Sequence, residues 1–402
     1  MSMNRIINEG IIYEEDILNN DIPVYIRPVL TEIHISDIHF GAFEPSSQYK
    51  ILKEQFISKI ENLRCDILSI NGDLFHRKSM SNSDTVLYAT LFIDEIVQIC
   101  KRNGATLVLI HGTRSHDSSQ LKLFYHYLND PEIDIRIVEE TRFEYIKGGK
   151  FLCIPEEYGR TEEYYLNFLY KQGPYDGVFM HGNIYGAIYN SEEPELGSEK
   201  SPTFKVSDFK FSRGPIISGH VHVAGCFEKY AYYCGSPYRW CYGEEQPKGF
   251  YIVLRDLNGG HYTHFEEIIS SKYTTIDIDE LLMKDPKDAV EYINRLKESE
   301  GIDYIRLQFK NELDGNTSTN LQLIKNFYRT DPSVKIHFKR KKESSIINKE
   351  SIQNEVMEKY KQYDYILSNS MTEQEILVKY INDNKGYEFI TIEELTNILS
   401  EL

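Results

Sequence analysis

Apolar positions along the chain follow two periods. Short, mostly apolar runs at Ile33 to Ile35, Ile67 to Ile70, Leu107 to Ile110, Val178 to Met180 and Ile216 to Ile217 have the length and character of buried strands. Between the first three the spacing turns helical: Ile51, Leu52, Phe56, Ile57, Ile60 and Leu63 form one stripe, and Val86, Leu87, Phe92, Ile93, Ile96 and Val97 another. The second stripe predicts a helix of about 18 residues that opens near Asp84 and ends at Gly104. Strand, helix, strand, helix in this order is the pattern of stacked βα units.

Stretches rich in aromatic and β-branched residues follow at 143–146, 151–154, 230–233 and 250–254, and they suggest a second, more antiparallel sheet. The expected fold over residues 31–270 is therefore α/β (α+β), two sheets between flanking helices. Residues 190–202 hold Glu192, Glu193, Glu195 and Glu199 among few apolar positions and read as a surface loop. After 271 the pattern changes to strand, helix, strand, helix, strand. This predicts a small α+β domain with a three-stranded sheet over 271–342. Residues 343–402 read as helices with apolar stripes, among them Ile352, Val356, Tyr363, Leu367, Ile376, Leu377, Tyr380 and Ile381. Residues 1–30 read as an extension that pairs loosely with the core. No internal repeat is evident.

Charge narrows the function. The 402 residues carry a formal net charge of -17, which argues against coating nucleic acid by general basicity, since that mode relies on Lys and Arg neutralising phosphates. An anionic substrate needs local positive charge, which divalent cations or the run Lys339-Arg340-Lys341-Lys342 could supply. That run is as consistent with a solvated strand end as with a DNA contact. The six cysteines, 65, 100, 153, 226, 234 and 241, show no CxxC spacing and read as reduced core thiols. No apolar run is long enough to span a membrane and Met1 to Ile11 has no apolar leader core, so the expectation is a soluble cytoplasmic protein.

Chemistry gathers where the strands end. Asp37-Ile38-His39, Gly72-Asp73-Leu74-Phe75-His76, Ser115-His116-Asp117, His181-Gly182 and Gly219-His220-Val221-His222 each end or follow an apolar run, so carboxylates and imidazoles emerge on one rim. Two divalent ions about 4 Å apart need a bridging carboxylate with His and Asp around it. Such mixed donors suit Mn²⁺, Fe²⁺ or Zn²⁺. Asp73 is the natural bridge, with Asp37, His39 and His222 toward one ion and His181 and His220 toward the other. Alone, each block reads as a turn or a satisfied histidine; five in order at strand ends form a site.

These blocks resemble those of the calcineurin-like metallophosphoesterase superfamily. Leu74-Phe75-His76 after the bridging Asp, and Tyr233-Cys234-Gly235-Ser236-Pro237-Tyr238-Arg239 followed by Lys248-Gly249-Phe250, resemble the SbcD-type nuclease subunit of DNA double-strand-break repair. The resemblance covers about 31–255. It implies a four-layer metallophosphoesterase sandwich of two mixed β-sheets, with a DNA-capping domain at 271–342 and a helical tail at 343–402 that binds an ATPase. The implied activity is a two-metal-dependent DNA nuclease, exo- or endonucleolytic, using Mn²⁺ with an SbcC-like coiled-coil ATPase, as a homodimer. Carried over by position, Asp37, His39, Asp73, His181, His220 and His222 would be ligands. His76 would orient the phosphate or DNA, and His116 would stabilise the transition state or protonate the leaving oxygen. Arg239 and, from its charge alone, the run Lys339-Arg340-Lys341-Lys342 are candidate DNA contacts.

The sequence departs from the family in its third block. Where Gly-Asn-His-Asp or Gly-Asn-His-Glu is usual, Gly112 is followed by Thr113-Arg114-Ser115-His116-Asp117. Ser115 or Thr113 would take the amide's place, with His111 as a further substitute ligand. On this expectation the second ion binds more weakly than the first. Other readings of the same sequence are a cyclic-nucleotide or phosphomonoester hydrolase, and a catalytically weakened scaffold subunit.

Overall fold

The computed structural model describes residues 30–187, 202–228, 230–255, 260–277, 286–309, 315–329 and 335–340. Strand β1 (Leu30–Ile35) is buried along its whole length. Helix α1 (Pro45–Leu52) follows and continues through a π-turn at Lys53–Ile57 to Ser58–Ile60. After β2 (Ile67–Asn71), helix α2 (Asp84–Asn103) is capped by Ser83, whose side chain accepts from the Val86 N–H. It is closed by Gly104 at φ 61°, a left-handed position that suits a residue without a Cβ. Strands β3 (Thr106–Ile110) and β4 (Asp134–Val138) extend the sheet.

Next come β5 (Arg142–Ile146), β6 (Gly149–Ile154), helix α3 (Glu162–Tyr170), β7 (Gly177–His181), β8 (Asn183–Ile184), β9 (Thr203–Phe204), β10 (Ile216–Gly219), β11 (Gly225–Phe227), β12 (Ala231–Tyr233), β13 (Gly249–Arg255) and β14 (His261–Glu267). Two six-stranded sheets result, ordered β14-β13-β1-β2-β3-β4 and β11-β12-β10-β7-β6-β5. Four layers follow from the burial pattern. One apolar core lies between α1, α2 and the first sheet, another between α3 and the second, and Val108, Phe151, Phe179 and Val253 fill the space where the sheets face each other.

A polar group is set into that middle layer. Buried Arg255 donates to Glu32 Oε1 at 2.7 Å and to the Asp176 carbonyl, and lies over the Phe151 ring. It thereby ties the first sheet to the second. Burial pushes Glu32 up, but Arg255 and His34 override it and hold the carboxyl at about 2.

Two expectations are corrected. The second sheet is not the more antiparallel one: in both sheets three pairings are parallel and two antiparallel. The strand at 250–254 belongs to the first sheet, beside β1. Aromatic, β-branched composition marks a strand but not its direction. Sequence periodicity also passed over β4, β14 and α3. Every residue of β14 is half-buried or exposed, and α3 carries Tyr and Phe where a strand would.

Beyond the sandwich, β15 (Tyr273–Asp277), α4 (Pro286–Glu300), β16 (Tyr304–Phe309), α5 (Gly315–Tyr328) and β17 (Lys335–Arg340) build a three-stranded sheet in the order β15-β16-β17. Their core is Ile276, Ala289, Ile293, Ile302, Ile305, Leu307, Leu321 and Ile324. These elements belong to the compact unit that runs to Lys339. Residues 1–29 and 341–402, and most of the loop expected at 190–202, lie outside the described residues. Among the described residues no helix is long and apolar enough to cross a membrane, and no cysteine is paired.

Candidate metal centre

Parallel pairing brings the C-terminal ends of β1, β2 and β3 to one edge and those of β7 and β10 to the other, where the two sheets meet. His181 at the end of β7 bonds the Asn71 carbonyl at the end of β2 at 2.8 Å. The His220 N–H, just past β10, donates to both carboxylate oxygens of Asp37 at 3.0 and 3.1 Å. The turns are tight. Asp37, His39 and Asp73 have φ near 50° and His220 has 87°, left-handed conformations that cost non-glycine residues free energy and collect at functional sites. Gly72, at φ 85°, must lack a side chain, since a Cβ there would stand 2.1 Å from His181 Nδ1.

The first donor set is Asp37, His39 and His222. His39 Nε2 and His222 Nε2 face each other at 3.1 Å, and Asp73 Oδ2 is 3.7 Å from His39 Nε2. His222 Nδ1 donates to Glu244 Oε1 at 2.9 Å. Glu244 also accepts from the Trp240 N–H, and Lys248 Nζ stands 3.5 Å away, fully buried. Lys248 in turn donates to the His222 carbonyl and to Ser236 Oγ, both at 2.9 Å. Burial pushes Glu244 up, yet His222 and Lys248 hold it at about 2, so it is a carboxylate that fixes the His222 tautomer. Ser236 and Lys248 thus have a physical place beneath His222.

The second set is Glu156, His181 and His220, with Asp37, Asp73 and His181 forming an overlapping group. His181 Nε2 lies 3.4 Å from Asp73 Oδ2 and 3.6 Å from Glu156 Oε2, and His220 Nδ1 lies 3.4 Å from Glu156 Oε2. Thr113 donates its N–H to Asp73 Oδ1 at 2.6 Å and its hydroxyl to Glu156 Oε2 at 2.8 Å. Asp117, wholly buried, accepts the N–H groups of Asp73, Phe75 and Gly112 and so pins the second block to the third. Burial, and then the neighbouring Asp73 charge, push Asp117 up to about 6.

His76 and His116 flank the first set, within reach of His39. His116 Nδ1 donates to the His76 carbonyl, which leaves Nε2 as the nitrogen available to a substrate. Burial, then His116, lower the His76 pKa and favour its neutral form. Trp240 packs on three of these rings, with centroids 5.6 Å from His39, 5.2 Å from His76 and 5.7 Å from His222.

The chain therefore brings together Asp37, His39, Asp73, His181, His220 and His222, with His76, His116 and Thr113 beside them. It does not bring in Ser115, which is exposed, or His111, whose Nε2 bonds the Ser118 carbonyl at 2.5 Å. A short hydroxyl on the outside of the turn cannot reach the cluster, and a histidine ending a buried strand satisfies the backbone instead. Arg239 is buried, with one guanidinium nitrogen 3.3 Å from the Glu245 carbonyl. Lys339 and Arg340 end β17, while Lys341 and Lys342 lie outside the described residues.

The donor chemistry fits divalent ions. His222 and His181 each donate through Nδ1, so both turn a lone pair at Nε2 inward, toward other lone pairs and carboxylates. Such an array needs positive charge inside it, from a metal ion or, without one, from protons on the imidazoles. Burial pushes the His181 pKa down, but Asp73 overrides it and raises it to about 9, a measure of how negative this pocket is.

Comparison with known proteins agrees. The calcineurin-like phosphoesterase family profile matches residues 31–224. This stretch is therefore similar to a calcineurin-like phosphoesterase domain. An inferred phosphoesterase, 244L of Invertebrate iridescent virus 6, is 24% identical over 238 residues, 57% of this chain and 78% of the viral one. The crystal structure of a cold-active protein-tyrosine phosphatase of a psychrophilic Shewanella species matches 58% of this chain and 80% of its own at 15% identity and TM-score 0.27. A point mutant of a cold-active protein tyrosine phosphatase matches the same shares at 13% identity and TM-score 0.26. The matching family implies a metal-dependent phosphoester hydrolase, and the two donor sets are the candidate positions for divalent metals.

Proposed function

We propose that the chain is a two-metal DNA nuclease, hydrolysing phosphodiesters in DNA end processing with a coiled-coil ATPase of the SbcC kind as partner. The observation that carries this reading is the Ser236–Lys248–Glu244–His222 relay. It gives the Gly-Ser-Pro and Lys-Gly-Phe segments, the features that resemble SbcD-type subunits, a role in shaping the first donor set. A cavity of about 410 Å³ adjoins Glu156 and is lined by Arg114, Tyr158 and Arg160 together with Glu139, Glu140 and Glu157.

Two Mn²⁺ ions, when bound, would neutralise charge developing on the phosphorane oxygens and activate water. Asp37, His39, Asp73 and His222 would hold one, and Asp73, His181 and His220 the other. Asp73 is close to donors of both sets. The Nε2 of His116 would hold a proton against the leaving oxygen, and the His76 ring, packed on Trp240, would orient the scissile phosphate. Asp117 keeps the Asp73 turn rigid during the reaction.

The test is digestion of end-labelled linear duplex DNA with Mn²⁺, Mg²⁺ or EDTA, run beside a small chromogenic phosphodiester. Mn²⁺-dependent shortening of the duplex is expected. Cleavage of the small ester alone would favour a cyclic-nucleotide or phosphomonoester hydrolase, and no cleavage of either would favour a scaffold subunit. Dimerisation and ATPase binding belong to the same proposal, and a pull-down with chains ending at Lys342 checks the second: loss of binding is expected.

A further inference from the structure

We propose that Glu156 is a ligand of the second metal, supplied by the loop after β6 in place of a side-chain amide from the third block. The proposal rests on the two-metal reading above. Its ground is the position of one carboxylate. Glu156 Oε2 lies 3.4 Å from His220 Nδ1 and 3.6 Å from His181 Nε2, and these three residues form a closed donor group in which Glu156 and His181 are buried and His220 nearly so. Donor atoms around a single ion with bonds of about 2.1 Å stand roughly 3.0 to 3.4 Å apart. The spacing is that of ligands around one ion.

Thr113 explains why the carboxylate sits there. At the third-block position its side chain already points into the site, with Oγ1 3.2 Å from Asp73 Oδ2 and 3.4 Å from His181 Nε2. A threonine has no side-chain carbonyl to place between the histidines. Its hydroxyl instead donates to Glu156 Oε2 at 2.8 Å, while Tyr158 donates to Oε1 at 2.7 Å. Two hydroxyls therefore orient the carboxylate and leave Oε2 turned to the imidazoles. The adjacent Glu157 is spent elsewhere, on Thr141 and Arg160. The second set thus gains a charged ligand where the third block leaves a hydroxyl, and its affinity does not fall below that of the first for lack of a donor.

Calorimetric titration of the metal-free full chain with Mn²⁺, with electron paramagnetic resonance of the loaded protein, tests this apart from activity. The parent is expected to take two Mn²⁺ per chain and to show a spin-coupled pair. Glu156→Ala is expected to lose the second binding step and the coupled signal while keeping the first. Thr113→Asn in the same background puts an amide at the third block and is expected to restore both. Should Glu156→Ala fail to fold, Glu156→Gln carries the test, with a second step weakened by about tenfold or more. Two parent-like steps in Glu156→Ala or Glu156→Gln overturn the proposal and leave the two-metal reading standing. Fewer than two Mn²⁺ on the parent overturns that reading itself.

Discussion

Asp73 shows what one side chain holds together. Its carboxylate is 3.7 Å from His39 and 3.4 Å from His181, and burial pushes its pKa up while His181 and His39 hold it well below the carboxylate range. Asp73→Ala is expected to abolish Mn²⁺-dependent hydrolysis yet leave the far-ultraviolet circular dichroism unchanged, because it removes one of several crowded carboxylates. Activity within a few-fold of the parent would sink the two-metal reading. Lys248→Met probes the layer beneath. It leaves Glu244 without its cation, and first-site Mn²⁺ affinity should drop about 10- to 100-fold, as for other partners that orient a metal-ligating histidine. Binding unchanged by calorimetry would make Lys248 a packing residue only. At this scale the sequence was legible wherever chemistry sat in a short motif. Asp37, His39, Asp73, His181, His220 and His222 are such cases, and the structure gathers them. Glu156 and Glu244 were not legible, because a single Glu in an acidic chain carries no pattern. Glu156 did leave one signal: it follows the apolar run Phe151 to Ile154 after a single proline, Pro155, much as the other blocks follow theirs.

Elements were read best where periodicity was long. The α2 stripe and its closing glycine were plain in sequence, and the helix spans Asp84–Asn103. Its start is set by Ser83, whose Oγ accepts from the Val86 N–H at 3.4 Å. Ser83→Ala should cost about 1 kcal/mol of stability with activity unchanged, read from denaturant midpoints. A loss of activity at full occupancy of the folded state would show that α2 communicates with the site. Strands of mixed exposure such as β14 had no such signature, and their pairing partners come from tertiary packing. His220 and His222 illustrate the limit. Placed on an extended strand they would share a face, but beyond Gly219 the chain turns at a φ of 87° and delivers them to different donor sets.

For the whole molecule the decisive joint is the Arg255–Glu32 pair of the first sheet, 5% and 0% exposed, whose guanidinium also reaches the Asp176 carbonyl beside the second. Glu32 titrates near 2 when folded, below its ordinary 4.5. The stability it contributes is therefore complete above about pH 4.5 and is lost as pH falls toward 2. Arg255→Ala removes one partner of a buried pair and should cost about 3–5 kcal/mol at neutral pH. Because Glu32 then titrates higher, part of that difference from the parent should close as pH falls through this window. An equal deficit at pH 7 and pH 3, measured by chemical denaturation, would show that lost packing rather than charge is responsible. Two sheets between flanking helices were inferred from element sequence, but no local signal marks which arginine crosses between sheets.

The chain has one tryptophan, and it is Trp240, packed against His39, His76 and His222. The protein therefore carries a built-in optical probe. Indole emission excited apart from the tyrosines comes from one residue at the rim of the metal centre, and both a protonated imidazole and a paramagnetic ion at contact distance quench it. Stepwise Mn²⁺ should dim this emission saturably in the parent and leave it far less changed in Asp73→Ala. Lowering pH on the metal-free protein should trace the charging of the neighbouring histidines in the same signal, with no label attached. An emission indifferent to both would place the indole away from those rings in solution.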